Sequence, residues 1–285
     1  MSAIIFGING QDGFYLNKLL LALNIQVHGI SRDDLDISNY TQISELIKKN
    51  KPDYIFHLAA NSTTNHAALF ENHSTINTGT INILEAIKNF SPHSKIFISG
   101  SGLQFKNQHK PIKETDAFEA RDAYSVSRIH TVYAARYYRS LGIKTYIGYF
   151  FNHDSPRRTE RHIAMKIAAA AKRIAAGAKE KIEIGDSTVI KEWTYAGDIV
   201  NGIWLLMNQE NIFEANISSG EGHSIKEWIE TCFDIIGKDY KNYVVEKNGF
   251  ISEYRQLLSD PAIIQSLGFY PQVSFRQLAQ MMINE

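Results

Sequence analysis

Short apolar runs alternate with helix-period segments through the first half of the chain. Residues 3–6, 26–30, 54–58, 95–99 and 144–150 have the length and composition of buried strands. Between them, residues 12–23, 43–49, 80–89 and 123–139 repeat apolar side chains at helical spacing. This alternation predicts right-handed βαβ units and a parallel sheet. The link over residues 31–38 is too short to hold a full helix.

The second half is less regular. Residues 163–176 are alanine-rich and helical in period, and Ser224-Ile-Lys-Glu227 has the form of a capping box opening a helix that carries Trp228. Residues 182–184 and 215–217 read as short strands. A last helix is expected over 274–282, after a turn at Leu267-Gly-Phe-Tyr-Pro271. No repeat, low-complexity tract or linker separates the halves. The expected fold is α/β: a Rossmann-type, doubly wound parallel sheet over residues 1–151 with a returning segment near 190–210. A smaller, interleaved C-terminal substrate lobe is expected over 152–285.

Gly7-Ile-Asn-Gly10-Gln11-Asp12-Gly13 follows the first run and opens the first helix. Glycines there permit a tight turn and let backbone N–H groups approach a pyrophosphate at the helix N-terminus. A glycine turn without a ligand is the competing reading. Arg32 stands just past the second strand, where the adenosine ribose of a dinucleotide would lie. A guanidinium suits a 2′-phosphate, whereas an acidic side chain suits free hydroxyls. Asp33 and Asp34 follow at once, so NADP(H) is preferred, NAD(H) stays open, and Arg32 as a plain surface charge is the alternative.

Charge narrows the partners. Thirty basic and thirty acidic residues cancel, leaving no global field to draw the chain to nucleic acid or anionic lipid. The N-terminal apolar run is too short for a signal sequence, and no stretch approaches the roughly 18 apolar residues of a membrane span, so a cytoplasmic protein is expected. The lone Cys232 excludes a disulfide framework and reads as a small core hydrophobe. His57, His66, His153 and His162 lack metal-ligand spacing, and no metal is expected.

Several ordered segments resemble the extended short-chain dehydrogenase/reductases, and within them the GDP-mannose 4,6-dehydratase and GDP-4-keto-6-deoxy-mannose reductase group. Gly10-Gln-Asp-Gly13-x-Tyr15-Leu16 resembles the first turn of that group, and His57-Leu58-Ala59-Ala60-x-Ser62 its fourth strand end. Phe151-Asn152-His153-Asp154-Ser155-Pro156-Arg157-Arg158 resembles its Asn-His-Glu-Ser-Pro-Arg-Arg signature. Gly185-Asp186, Glu192-Trp193-x-x-Ala196-x-Asp198 and Pro271-x-Val273-Ser-Phe275 also fit, so the resemblance covers nearly the whole chain.

The resemblance implies a bound NADP(H), a GDP-linked hexose or heptose, and hydride transfer at sugar C4. It also implies a homodimer held by the helices of the Thr80 and Tyr124 segments. Tyr124 matches the tyrosine of the family's Tyr-x-x-x-Lys, a proton carrier at the C4 oxygen. Ser101, placed after a fifth strand, matches the hydroxyl residue that hydrogen-bonds that oxygen. Arg128 takes the place of the lysine that grips the nicotinamide ribose, and residues four apart on a helix share a face. Leu58, Ala59, Ala60 and Asp36 or Ile37 match positions touching the cofactor, although Asp36 also reads as the cap of the next helix. Ser62, Asn152, Arg157, Arg158, Lys191 and Arg255 are the candidates for gripping the substrate. Arginine forks match pyrophosphate oxygens, and a solvated helix start is the alternative for the arginine pair.

Departures from the family pattern matter most for the reaction. Dehydratases of the group carry a glutamate two residues beyond the catalytic hydroxyl, and here that residue is Leu103. Gln104 beside it can hydrogen-bond but cannot take a proton near neutral pH. Elimination without a positioned base loses about 10²–10⁴ in rate. The compact Arg32-Asp-Asp-Leu-Asp36-Ile37-Ser link also resembles that of the dTDP-4-dehydrorhamnose reductases, which lack the dehydratase apparatus. The expectation is a reductase of a GDP-4-keto-6-deoxy sugar. The alternatives are a dehydratase, C4 dehydrogenase or epimerase on a GDP-sugar, and a non-catalytic GDP-sugar-binding homologue. Arg128 for lysine, Lys191 for arginine and Phe250 where a phosphate-binding arginine is usual motivate the last.

Overall fold

The computed structural model describes residues 1–284. The five apolar runs form β1 (Ser2–Phe6), β2 (Gln26–Ile30), β3 (Tyr54–His57), β4 (Lys95–Ser101) and β5 (Thr145–Phe150). Between them lie α1 (Gln11–Ala22), α2 (Tyr40–Asn50), α3 (Leu69–Asn72), α4 (Gly79–Phe90) and α5 (Ala123–Ser140). The second half adds β6 (His153–Asp154), α6 (Ile163–Ala175), β7 (Ile182–Ile184), β8 (Ile190–Glu192), β9 (Thr194–Tyr195), α7 (Ala196–Met207) and β10 (Glu214–Ile217). It ends with β11 (Gly222–Ser224), α8 (Ile225–Ile235), β12 (Val244–Glu246), β13 (Gln256–Leu257), α9 (Ala262–Ser266) and α10 (Phe275–Asn284).

The main sheet runs β10-β5-β4-β3-β1-β2, and all of its pairings are parallel. Side chains alternate faces along each strand, and both faces are covered. Ile4 and Phe6 pack under α2, α4 and α5 with Ile43, Ile47, Ile83, Ile87 and Val132. Their neighbours Ala3 and Ile5 face α1 and α7, among Leu16, Leu20, Ile199, Ile203 and Leu206. That double covering is why the inner strands read as apolar runs, whereas edge strand β2 leaves Gln26 and His28 exposed. β2 and β3 lie on opposite sides of β1. The winding therefore reverses there and opens a crevice at the carboxyl ends of the strands.

The segment expected at a fourth strand end closes the third strand, and Ser101 ends the fourth strand, not a fifth. The cause is the short link: residues 31–38 form only turns, and α2 leads straight into β3. Asp36 does not cap α2. Asn39 does, its side chain accepting from the Gln42 N–H at 3.2 Å, while Asp36 binds Ser38 within the link.

A second core gathers α6, α8 and α10 around Trp193 and Trp228, whose rings stack 4.6 Å apart. The expected capping box opens α8, with Ser224 and Glu227 bonding each other's backbone N–H groups. Cys232 is fully buried there, and burial pushes its thiol up. Beside that core, buried Glu192 accepts from Ser219, Gly220 and Ser259 N–H groups at 2.7–3.0 Å. Among the described residues, no helix is long and apolar enough to cross a membrane.

Candidate active site

The first turn is built for close backbone approach. Gly7 has φ +91°, and its N–H donates to the Ile30 carbonyl at 2.9 Å. A Cβ on Gly13 would sit 2.3 Å from the Gly7 oxygen, so any side chain there drives α1 off the turn. Gly10 caps α1 with no side-chain bond to its first turn. The helix therefore presents N–H groups and its positive end to whatever enters the crevice.

Two cavities open over this turn. One, of about 560 Å³, is lined by Gly7, Gly10, Arg32, Asp36, Ile37, Leu58, Ala59 and Ala60. The other, of about 430 Å³, is lined by Gly7, Gly10, Gln11, Asp12, Gly13, Leu58, Ala60, Ser62, Ser101, Tyr124, Arg128, Asn152, Arg157 and Arg158. Every cofactor residue and catalytic residue expected from the sequence thus lines one cavity or both. Volumes of several hundred Å³ suit small-molecule ligands. Near Arg32, exposed Asp34 folds back on its own loop and accepts from the Ser31 N–H and hydroxyl, at 2.8 and 2.7 Å.

Tyr124 and Arg128 sit one turn apart on α5, which a reciprocal Asp122–Ser125 box caps. Both are buried, and the guanidinium lies 5.0 Å from the centre of the phenol ring. Arg128 Nη1 donates to the Ser99 carbonyl and, at 3.0 Å, to its hydroxyl, which in turn donates to the His57 carbonyl at 3.2 Å. Burial, with the Arg128 charge added, pulls His57 down to about 3 and keeps it neutral. Arg128 is thus the cation at this spot. Its Nε and the Asn152 Oδ1 have no protein partner, as expected of groups that meet a polar ligand.

Ser101 ends β4 facing the same cavity, and its hydroxyl accepts from the Leu103 N–H at 3.2 Å. Gln104, fully buried, spends its side-chain oxygen on the Ser101 N–H at 2.9 Å. Leu103 lines the cavity and packs against the main core. Glu253 and Asp122 line a smaller adjoining cavity with Leu103, Tyr254 and Leu257. In the cavity that holds Tyr124 and Ser101, Asp12 is the one acidic side chain among the described lining residues.

Asp12 is itself committed. Its carboxylate meets His153 Nε2 at 2.9 Å, while His153 Nδ1 contacts the Phe151 carbonyl at 2.8 Å. Burial pushes the Asp12 carboxyl up, but the His153 and Arg158 charges and the bond to His153 hold it far below the usual range. Burial pulls His153 down and Asp12 outweighs it, leaving the imidazole raised. Arg158 is 3.3 Å from Asp154 and donates to the His153 carbonyl at 2.9 Å. Arg157 lies over the Phe14 ring at 3.9 Å and stays exposed.

Two expected substrate residues line neither cavity. Lys191, in the middle of β8, is buried with Nζ 4.7 Å over the Trp193 ring, and burial pulls it down to about 8. Arg255 is exposed, and its carbonyl accepts from the Ile190 N–H at 2.9 Å. Conversely, Ser99, Tyr254 and Arg161 line the Tyr124 cavity without a sequence signal that singled them out. Among the described residues, no group of three metal-binding side chains occurs.

Comparison with known proteins places this geometry. A family model described as GDP-mannose 4,6 dehydratase matches residues 33–282. GDP-mannose 4,6 dehydratase 2 of Arabidopsis thaliana is 30% identical, over 99% of this chain and 86% of its own. The structure of RMD from Pseudomonas aeruginosa complexed with NADPH superposes with a TM-score of 0.87 at 21% identity, covering 99% of this chain and 97% of the other. UDP-glucuronic acid 4-epimerase from Bacillus cereus, in complex with UDP-glucuronic acid and NAD, gives 0.88 at 19%, covering 100% and 98%. The Rossmann-type sheet is that of the extended short-chain dehydrogenase/reductases, and the chain belongs to the GDP-mannose 4,6-dehydratase family.

Proposed function

We propose that the protein is an NADP(H)-dependent oxidoreductase that reduces the C4 ketone of a GDP-4-keto-6-deoxy hexose or heptose. The observation that carries this reading is Leu103. It lines the Tyr124 cavity two residues past Ser101, where among the described residues the one lining carboxylate, Asp12, is held by His153. Ketone reduction needs one proton donor and no base at C5. Tyr124 gives its hydroxyl proton to the C4 oxygen, Ser101 hydrogen-bonds that oxygen, and Arg128 holds positive charge beside both. The nicotinamide, when bound, supplies the hydride. Arg32 favours the 2′-phosphorylated cofactor, because Asp34 and Asp36 are spent on their own loop and leave the guanidinium at the cavity rim.

Mixing the protein with such a ketosugar and NADPH is expected to consume the nicotinamide absorbance and yield a product heavier by two hydrogens. Absence of consumption, with both ligands shown to bind, overturns the reductase reading. A second reading has support in the relatives, which are named as dehydratases. It requires GDP-mannose to lose one water with NADP⁺ present. If the reductase reading is right, that reaction stays below detection, and Leu103→Glu is the variant in which it first becomes measurable.

The family's pairing through the helices near Thr80 and Tyr124 fits an apolar stripe on α5. Val126, Tyr133 and Tyr137 are 47%, 59% and 60% exposed. Positions 126, 133 and 137 fall on one helix face. We propose that this face joins two copies of the chain. Tyr133→Glu with Tyr137→Glu is expected to convert a dimer to monomer in sedimentation, with far-UV ellipticity unchanged. A wild-type monomer at micromolar concentration refutes the pairing.

A further inference from the structure

The two cavities share six lining residues: Gly7, Asn9, Gly10, Leu58, Ala60 and Arg161. Five of these form the floor, from the turn after β1 and the end of β3. Arg161 alone comes from the second half of the chain, and among the described residues it is the one lining residue of the Arg32 cavity beyond position 75. It stands just before α6, on the segment that also carries Arg157 and Arg158. A ligand filling both cavities must therefore pass between the glycine turn and this guanidinium.

Arg161 is exposed and has no ion pair among the described residues. Its Nε donates to His162 Nε2 at 3.2 Å. Burial first, then the Arg158 charge, pulls His162 down to about 4, so near neutral pH its imidazole accepts this bond without adding a competing charge. The two terminal guanidinium nitrogens remain free, directed by a side chain already oriented at Nε.

We propose that Arg161 is a positioning residue that bonds the bridging diphosphate of the dinucleotide from the substrate lobe, opposite the N–H groups of the Gly7–Gly10 turn. The inference rests on the dinucleotide-dependent reading above. A dinucleotide with its adenosine end near Arg32 and its nicotinamide end near Tyr124 has its diphosphate at the shared boundary. There two anionic groups face a helix N-terminus on one side, and a planar fork of donors completes their coordination on the other. The contact also ties the lobe that binds sugar to the lobe that binds cofactor.

The test is direct binding, with no turnover needed. NADPH, adenosine 2′-monophosphate and GDP are titrated into wild type, Arg161→Ala and Arg161→Lys at low and high salt. Arg161→Ala is expected to raise the NADPH Kd about tenfold or more and flatten its salt dependence. Adenosine 2′-monophosphate, which lacks the bridging diphosphate, and GDP should change less than about twofold. Arg161→Lys should fall between, since the charge stays and the fork is lost. Unchanged NADPH affinity in Arg161→Ala overturns the inference alone. Weakened GDP with unchanged NADPH overturns it too, because the guanidinium then serves the sugar nucleotide. Equal loss for all three ligands makes the effect a general one of folding and also counts against it. A wild type that binds no dinucleotide overturns the functional reading together with the inference.

Discussion

Tyr124→Phe is expected to lower turnover of the ketosugar by about 10²–10⁴-fold while leaving the NADPH Kd within about twofold. The substitution removes one oxygen and nothing else. The phenol ring packs in a buried position, and the guanidinium of Arg128 lies against that ring, so the phenylalanine keeps the packing and most of the cation–π contact. What disappears is the hydroxyl proton at the cavity wall shared with Ser101. Transfer of that proton matters only as charge develops on the C4 oxygen, so the loss belongs in kcat more than in affinity. Progress curves of NADPH consumption, paired with a binding titration, separate the two. Turnover within about threefold of wild type removes Tyr124 from the chemistry and leaves the reductase reading without its acid.

Arg128 shapes how far that result generalises. A lysine at this position would be a compact ammonium, whereas the guanidinium reaches β4 and is anchored by Ser99. The anchoring uses one terminal nitrogen and leaves the charge beside Tyr124. The site is arranged around the arginine: Ser99 bridges it to the His57 carbonyl, and His57 stays neutral in its field. This integration argues for a working variant of the family's pair and against a decayed one.

Much of the frame was legible because its signals are local. The inner strands of the parallel sheet are buried on both faces, so their apolar runs are nearly unbroken, while edge strand β2 exposes Gln26 and His28; the glycines at 7, 10 and 13 answer to approaches under 3.3 Å. What stayed hidden depends on distant parts of the chain. Helix α7 carries Gly197, Gly202 and Asp198, which blunt its periodicity. Yet Gly202 is small because Ile217 of β10 presses on it, a contact invisible from position 202 alone. The π-helical stretch His73–Thr78 wraps Thr75 and Ile76 against His57 and left no pattern to read. Lys191 was placed by its position beside a signature, but the pairing of β8 with β11 and β13 turned it into the interior. Arg161 sits in no motif and gains meaning only when its segment folds across the glycine turn.

The other large effect concerns how the lobes are held. Asp12 starts α1 and His153 lies in β6, 141 residues away, so their contact clamps the substrate segment to the cofactor turn. Gln11 joins the clamp through Ser155 at 2.7 Å, and Arg158 closes it on the His153 carbonyl. Asp12→Asn removes the counter-charge that keeps the buried His153 imidazole raised, so the ring must stay charged unpaired or give up its proton. The expected loss of stability is about 3 kcal/mol, at the low end for broken buried pairs because the Asp12 side chain keeps 22% exposure. The pH dependence follows from the two shifts. His153 is raised in the fold, so its share of stability is complete below the ordinary 6.5 and drains away as pH climbs through the raised value. Asp12 is depressed, so its share is present above the ordinary 3.8 and fades as pH falls below it. The gap between wild type and Asp12→Asn should therefore be widest between about pH 4 and 6.5 and narrow toward pH 9. Urea unfolding without nucleotide at about pH 6 and pH 9 reads this directly. A gap that is equal at both, or that widens with pH, means the contact is a neutral hydrogen bond and the charged clamp does not exist.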